Sequence, residues 1–262
     1  MPEGHTIHRL ARDHHRDFAG QTLRISSPQG RFADDAKRIS GKPLKSVVAH
    51  GKHLCYEFPR GKLLHIHLGL YGKFRQHKCP PPEPRGAVRL RAVGKEKAVD
   101  RHVPTRCELI TRADWESIQE RLGPDPLRDD ADPEQVWNRV QKSRQAIGKL
   151  LMDQSVIAGV GNVYRAEVLF LLGIHPERPG NQITRDEFDL LWRTIGKLLK
   201  IGVKYNRIFV ADPKDIGKNR SKMTREERLL VYKHKVCTRC DGPVKWWDLG
   251  ARKAYACERC QV

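Results

Sequence analysis

Four cysteines near the C-terminal end constrain this chain more than any other feature. Cys237 and Cys240 are separated by two residues, sixteen residues follow, and Cys257 and Cys260 repeat the pair. That is the spacing of a four-thiolate zinc site. Four protein ligands leave no open coordination position, so the expected cofactor is one structural Zn2+ per chain. Between the pairs, Val244, Trp246 and Trp247, then Leu249-Gly250-Ala251-Arg252-Lys253, then Tyr255 read as two short strands joined by a turn. The expectation is a zinc-braced β-hairpin. Arg252 at its tip is suited to hold a phosphate bidentately, and equally suited to be an exposed surface arginine. Cys55, Cys79 and Cys107 are scattered and read as ordinary thiols.

The charge balance says what kind of partner to expect. Across 262 residues, 50 Lys and Arg stand against 31 Asp and Glu, a formal charge of +19 spread along the whole chain. Such an excess suggests a polyanion, nucleic acid first and an anionic membrane surface second. The longest apolar run, Val168 to Ile174, is far too short to span a bilayer, and the opening residues show no signal-peptide pattern. A soluble, cytoplasmic protein is expected, nucleoid-associated if bacterial. The length allows a real core and two domains.

The opening Met1-Pro2-Glu3-Gly4-His5 carries potential chemistry. Removal of Met1 would leave a free secondary amine on Pro2, and an α-amino group titrates near pH ~8 against ~10.4 for lysine. Attack of a secondary amine on a sugar C1′ or an aldehyde yields an iminium ion, cationic at every pH and so an electron sink for elimination. Glu3 could move protons at the same centre. The plain alternative is a common second residue beside a solvated charge.

Ile7, Leu10, Ala11, His14 and Phe18 have helical spacing, with Gly20 as the stop, which would place Pro2-Glu3-Gly4 at the positive end of a helix. From Thr22 to about Ile110 the signals are mostly strands: Leu44 to Val48, the alternating Leu54-Tyr56-Phe58 and Leu64-Ile66-Leu68, Arg89 to Val93, and Glu108 to Ile110. Lys52 falls in a tight turn between two strands. Leu70-Tyr71 forms a large apolar pair at a glycine-flanked bend, suited to wedge into a base stack. The stretch 122–132, rich in Pro, Gly and Asp, suggests a boundary, after which the period becomes helical. Helices are expected through Val136-Trp137-Val140, around Ala146-Leu150-Leu151, over Val163 to Leu172, and after the Thr184/Glu187 capping box. Gly159-Val160-Gly161-Asn162 before the third of these is a candidate anion site, with Asn162 as an amide donor.

Together these residues resemble the formamidopyrimidine-DNA glycosylase and endonuclease VIII family. The Pro-Glu-Gly start, the turn lysine, the glycine-asparagine turn and the finger ending in Cys-x2-Cys-Gln all match, over essentially the whole chain. The resemblance implies an α+β multidomain fold: an N-terminal antiparallel β-sandwich with an N-terminal helix (1–122), a linker (123–132), a helix–two-turn–helix domain (133–230) and a zinc-finger β-hairpin (231–262). It implies a bifunctional DNA glycosylase/AP lyase of base-excision repair, with damaged DNA as partner and a monomeric state. Pro2 would be the nucleophile, Glu3 the general acid/base and Lys52 a phosphate contact assisting proton transfer. Asn162 and Arg252 would clamp phosphates, His67 would make a further backbone contact, and Leu70-Tyr71 would fill the void left by an extruded base. The Leu-Tyr pair resembles the endonuclease VIII branch, so oxidised pyrimidines are the expected substrates. Departures are Thr6, where many relatives have a second Glu, and a hairpin reading Ala-Arg-Lys-Ala-Tyr. The competing readings are an 8-oxoguanine-specific glycosylase, an inactive zinc-containing DNA-binding protein of the same fold, and a zinc-ribbon factor sharing only the finger.

Overall fold

A computed structural model describes every residue except Met1, Tyr71 and Pro104, and divides into two compact units, Met1–Arg121 and Leu122–Val262. In the first, the apolar stripe on α1 (Gly4–Phe18) buries Ile7, Ala11, His14 and Phe18, and Gly20 takes the positive φ that ends the helix. His14 Nδ1 lies 2.6 Å from the Tyr56 hydroxyl. Burial pushes the imidazole down to about 4, so it is neutral and accepts from the phenol.

The described strands of this unit form two antiparallel sheets. One has the order β2 (Lys42–Pro43), β1 (Thr22–Ser26), β7 (Val88–Val93), β8 (Lys97–His102), β6 (Lys73–Lys78). The other runs β3 (Ser46–His50), β4 (His53–Glu57), β5 (Leu63–His67), β9 (Arg106–Ile110). Their apolar faces meet in a core that includes Leu23, Ile25, Leu54, Tyr56, Ile66, Leu90 and Val99, with α1 and α2 (Ala33–Ile39) contributing Ile7, Phe18 and Ile39. This is the expected sandwich with its N-terminal helix.

The alternation rule misses β6 and β8, because both strands are charged. Asp100 on β8 is buried, yet it accepts two bonds from Arg91 at 2.6 and 2.7 Å and one from His77 at 3.1 Å. Pairing offsets the cost of desolvating these groups, so charged residues occupy strand positions that pattern reading treats as loop. The helix α2 lies within the stretch expected to be mostly strands, and α3 (Arg112–Arg121) fills the residues between the last strand and the linker, for which the sequence pattern gives no element.

In the second unit, residues 123–132 pack into the structure instead of hanging free: Pro124 accepts from the Ala158 amide, and Asp125 is buried. Asp132 caps α4 (Pro133–Val140) by accepting from the Glu134 amide. α5 (Ile147–Leu150) is a single turn, shorter than its apolar spacing suggests. α6 (Asn162–Leu171) is buried on almost every side, and α7 (Arg185–Tyr205) opens on the complete Thr184/Glu187 capping box. Phe188, Leu191, Ile195, Leu198 and Leu199 of α7 pack with Val168 and Leu169 of α6 around one helical core. α8 (Pro213–Ile216) follows, and the chain ends in a hairpin of β10 (Lys245–Leu249) and β11 (Arg252–Ala256). Among the described residues no helix is long and apolar enough to cross a membrane.

Candidate active site and nucleic-acid interface

α1 begins at Gly4, so Pro2 and Glu3 sit at its positive end. Glu3 is wholly buried, which removes the plain reading of a solvated charge. Pro2 is half-buried beside it. His5 is also buried, and burial lowers it to about 4, so the first turn adds no imidazolium that would repel a developing cation.

Lys52 follows Gly51 in the two-residue turn between β3 and β4, where His50 pairs with His53. Gly51 supplies the positive φ, 56°, that such a turn demands at its first central position. His67 ends β5 opposite His53, with ring centroids 4.8 Å apart. Burial, with neighbouring His65 and Lys52 adding to it, brings His67 down to about 4, so it meets a ligand as a neutral imidazole. Leu70 follows at the loop tip and is 41 % exposed, which no core role accounts for. Its companion Tyr71 lies outside the described residues. Val103, on a second loop, is 56 % exposed and holds a positive φ of 41°, a conformation costly for a β-branched residue. The two loops are tied where the Thr105 amide donates to the His67 carbonyl at 3.1 Å.

In the second unit the structure brings Asn162 and the Arg252 hairpin together. Asn162 Nδ2 donates to the Lys253 carbonyl at 3.1 Å, and Arg165 donates to the same carbonyl at 2.8 Å and to Asn162 Oδ1. The amide is therefore oriented: its oxygen is occupied and its nitrogen keeps a second N–H for a ligand. Arg252 is the first residue of β11, not the turn itself, which is Gly250-Ala251. Its guanidinium has no hydrogen-bond or ion-pair partner among the described residues. Arg165, which also donates to the Gly148 carbonyl at 3.3 Å, holds the pair together and is invisible to motif reading, because its partner Lys253 is 88 residues away. Arg165→Leu should cost about 2–3 kcal/mol by stranding buried acceptors. Denaturant unfolding would measure the loss, and amide exchange over 252–256 should speed up.

The four finger cysteines cluster with their sulfurs all within 4.8 Å of one another and none in a disulfide. Cys237 Sγ lies 3.8 Å from Cys260 Sγ, and Cys240 Sγ 3.5 Å from Cys257 Sγ. Four thiolates at about 2.3 Å from a tetrahedral metal stand roughly 3.8 Å apart, so the donors fit one ion. Gln261, the residue after the last cysteine, is buried and tied at both ends: it accepts from the Cys257 amide at 3.0 Å and donates to the Ile174 carbonyl at 2.9 Å.

Glu167 of α6 is wholly buried and accepts from the amides of Leu230, Val231 and Tyr232 at 2.7, 3.1 and 2.7 Å. Burial pushes its carboxyl up to about 7, and the three N–H donors limit the rise. The folded state thus binds this proton more tightly than the unfolded chain does. The stability Glu167 contributes should fall as pH rises from about 4.5 to about 7 and stay level above. Glu167→Gln lacks the titration, so the difference between parent and variant in urea midpoints should narrow across that window. A constant difference would refute this assignment.

The features define a class: a nucleic-acid-processing protein whose proline-glutamate start is mounted on a β-sandwich unit and whose helical unit ends in a hairpin beside four clustered cysteines that could hold a metal. Residues 1–107 match the formamidopyrimidine-DNA glycosylase N-terminal domain, and residues 122–213 its H2TH domain. Endonuclease 8 1 of Mycobacterium tuberculosis is 46 % identical over 268 residues that span all of both chains. The formamidopyrimidine-DNA glycosylase of Thermomicrobium roseum is 29 % identical, over 86 % of this chain and 84 % of its own. A crystal structure of the LlFpg protein with a THF-DNA and an inhibitor matches at 25 % identity and a TM-score of 0.82, covering both chains fully. The Lactococcus lactis Fpg bound to DNA containing an abasic site, 24 % identical over 99 % of each chain at a TM-score of 0.81, shares the fold. The chain belongs to the formamidopyrimidine-DNA glycosylase/endonuclease VIII family.

Proposed function

We propose that this chain is a bifunctional DNA glycosylase and AP lyase of base-excision repair, acting on oxidised bases through the amine of Pro2. The observation that carries the reading is Glu3: a carboxylate wholly buried next to the candidate nucleophile, at the start of a helix of fifteen residues. Chemistry at C1′ is blocked inside a stacked duplex, so the damaged nucleotide turns out and Leu70 with Tyr71 takes its place. The Pro2 nitrogen attacks C1′, and the base departs with the glycosidic electron pair and a proton delivered from Glu3. The proline nitrogen then gives up its proton and the C1′–O4′ bond breaks, its electron pair leaving on O4′ with a proton, which makes the iminium ion. That ion draws electrons from the C2′–H bond as that proton leaves, expelling the 3′ phosphate. A second elimination expels the 5′ phosphate.

Lys52 and His67 on the first unit contact phosphates of the damaged strand, and Asn162 and Arg252 on the second supply a separate pair of phosphate contacts. Zn2+ on Cys237, Cys240, Cys257 and Cys260 keeps the Arg252 hairpin folded. The protein acts as a monomer in the cytoplasm, where its DNA lies. The Leu70-Tyr71 pair and the likeness to a protein named Endonuclease 8 favour oxidised pyrimidines. Borohydride trapping on matched duplexes tests this directly. More covalent complex on thymine glycol than on 8-oxoguanine opposite cytosine is expected. The reverse order would overturn the substrate assignment and leave the chemistry standing.

A further inference from the structure

The sheet β3–β4–β5–β9 has one face in the sandwich core. Its other face carries His50, His53, His65 and His67, a concentration of imidazoles that core packing does not require. Three groups there are joined in a file: His53 Nδ1 lies 3.0 Å from His65 Nε2, and His65 Nδ1 lies 3.1 Å from Glu108 Oε1. His65 is wholly buried, with Trp115 of α3 against its ring at 5.9 Å, whereas His53 is half-buried and the Glu108 side chain is 43 % accessible. The file therefore has a dry middle and two wetter ends.

The bonding gives it a direction. A carboxylate only accepts, so His65 Nδ1 carries the proton toward Glu108. A neutral His65 then accepts at Nε2 from His53 Nδ1–H, which leaves His53 Nε2 as an open acceptor. Both imidazoles are neutral near pH 7: burial, with His67, His65, His50 and Arg106 beside it, lowers His53 to about 3, and burial outweighs Glu108 in lowering His65. The titratable and charged neighbours are His50 and Lys52 at the turn end and Arg106, 3.5 Å from Glu108, at the other. Arg112 of α3 is held by Glu57 at 2.7 Å.

We propose that His53, His65 and Glu108 form a proton path from the Lys52–His67 end of the sheet to solvent, serving the first elimination. The inference rests on the reading of Pro2 and Lys52 given above. The first elimination releases one proton from the sugar. That proton enters at His53 Nε2 as the Nδ1 proton passes to His65 Nε2 and the His65 Nδ1 proton passes to Glu108. One proton moves, both histidines end neutral in the other tautomer, and Glu108 then loses its proton to solvent. Once DNA leaves, the reverse relay with water at both ends restores the starting tautomers, so the file carries one proton per turnover. All three are positioning residues, since none touches the sugar.

Single-turnover cleavage of abasic-site DNA in H2O and D2O, with borohydride trapping in parallel, tests the path. Glu108→Gln keeps an acceptor for His65 but cannot take the proton. It is expected to trap as the parent does, to cleave about tenfold more slowly, and to show an altered solvent isotope effect. His65→Phe should slow cleavage equally, and the double variant no further, as steps in series require. Added imidazole should restore part of the rate to His65→Ala. Parent-like cleavage by Glu108→Gln would overturn the proposal, and because Glu108 lies at the surface this variant decides even if the His65 variants fail to fold. Loss of trapping in the unaltered protein would instead remove the Pro2 reading, and the path with it.

Discussion

A protein in which Pro2 remains joined to an uncleavable preceding residue is expected to bind abasic-site DNA normally and to form no borohydride-trapped complex. Its strand cleavage should fall by about 1,000-fold, which is ~4 kcal/mol of barrier. The amide nitrogen has given its lone pair to the carbonyl and is no nucleophile. Pro2→Gly is the finer probe. A glycine amine is primary, so its imine must be protonated before it can accept electrons, whereas a proline iminium is cationic at every pH. The glycine variant should therefore trap more weakly and lose activity as pH rises. Full, pH-independent cleavage by the blocked protein would show that the nucleophile lies elsewhere.

Removing the metal proposed for the finger should have the second large effect. Cys237 and Cys257 are fully buried and share a small core with Val231, Val244, Tyr255 and, from α6, Ala166 and Phe170. That core is too small to persist alone, and structural zinc contributes about 10–16 kcal/mol of binding to such folds. Cys257→Ser, or chelation, should unfold residues 231–262 while the helical core stays cooperative. The Arg252 hairpin goes with it, so DNA affinity should drop and the dependence of log K on log salt should flatten by about one unit per lost phosphate contact. Amide exchange and a salt titration of binding would check both halves. An Arg252 hairpin still protected from exchange after complete metal removal would show that the ion is dispensable.

What could be read in the sequence is what depends on neighbours along the chain. The cysteine spacing, the capping box at Thr184, the stripe on α1 and the glycine turn ahead of Lys52 are all local, and each appears in the fold. What escaped depends on partners far away. β8 is unreadable until Arg91 and His77 are seen to neutralise Asp100. Asn162 could be picked out as a donor, but not the Arg165 bond that orients it, nor the Lys253 carbonyl it holds. Glu167 falls inside the expected helix Val163 to Leu172 with no local signal of its role, and only the chain's return at 230–232 shows what it binds. A core made only of apolar residues would have been easier to foresee. Here the strands and the site are built from buried polar groups whose partners the fold supplies.

The way α6 is enclosed bears on how such a protein can be taken apart. One side of this helix is a wall of the helical core and the other is a wall of the finger, and Glu167 on it clasps the chain that runs between them. The finger is thus not a cassette. Deleting it would bare Phe170 and Ala166 to water, and transplanting it would strip it of half its floor. Recombination that swaps whole domains can succeed here only when the finger and the helical unit travel as one piece.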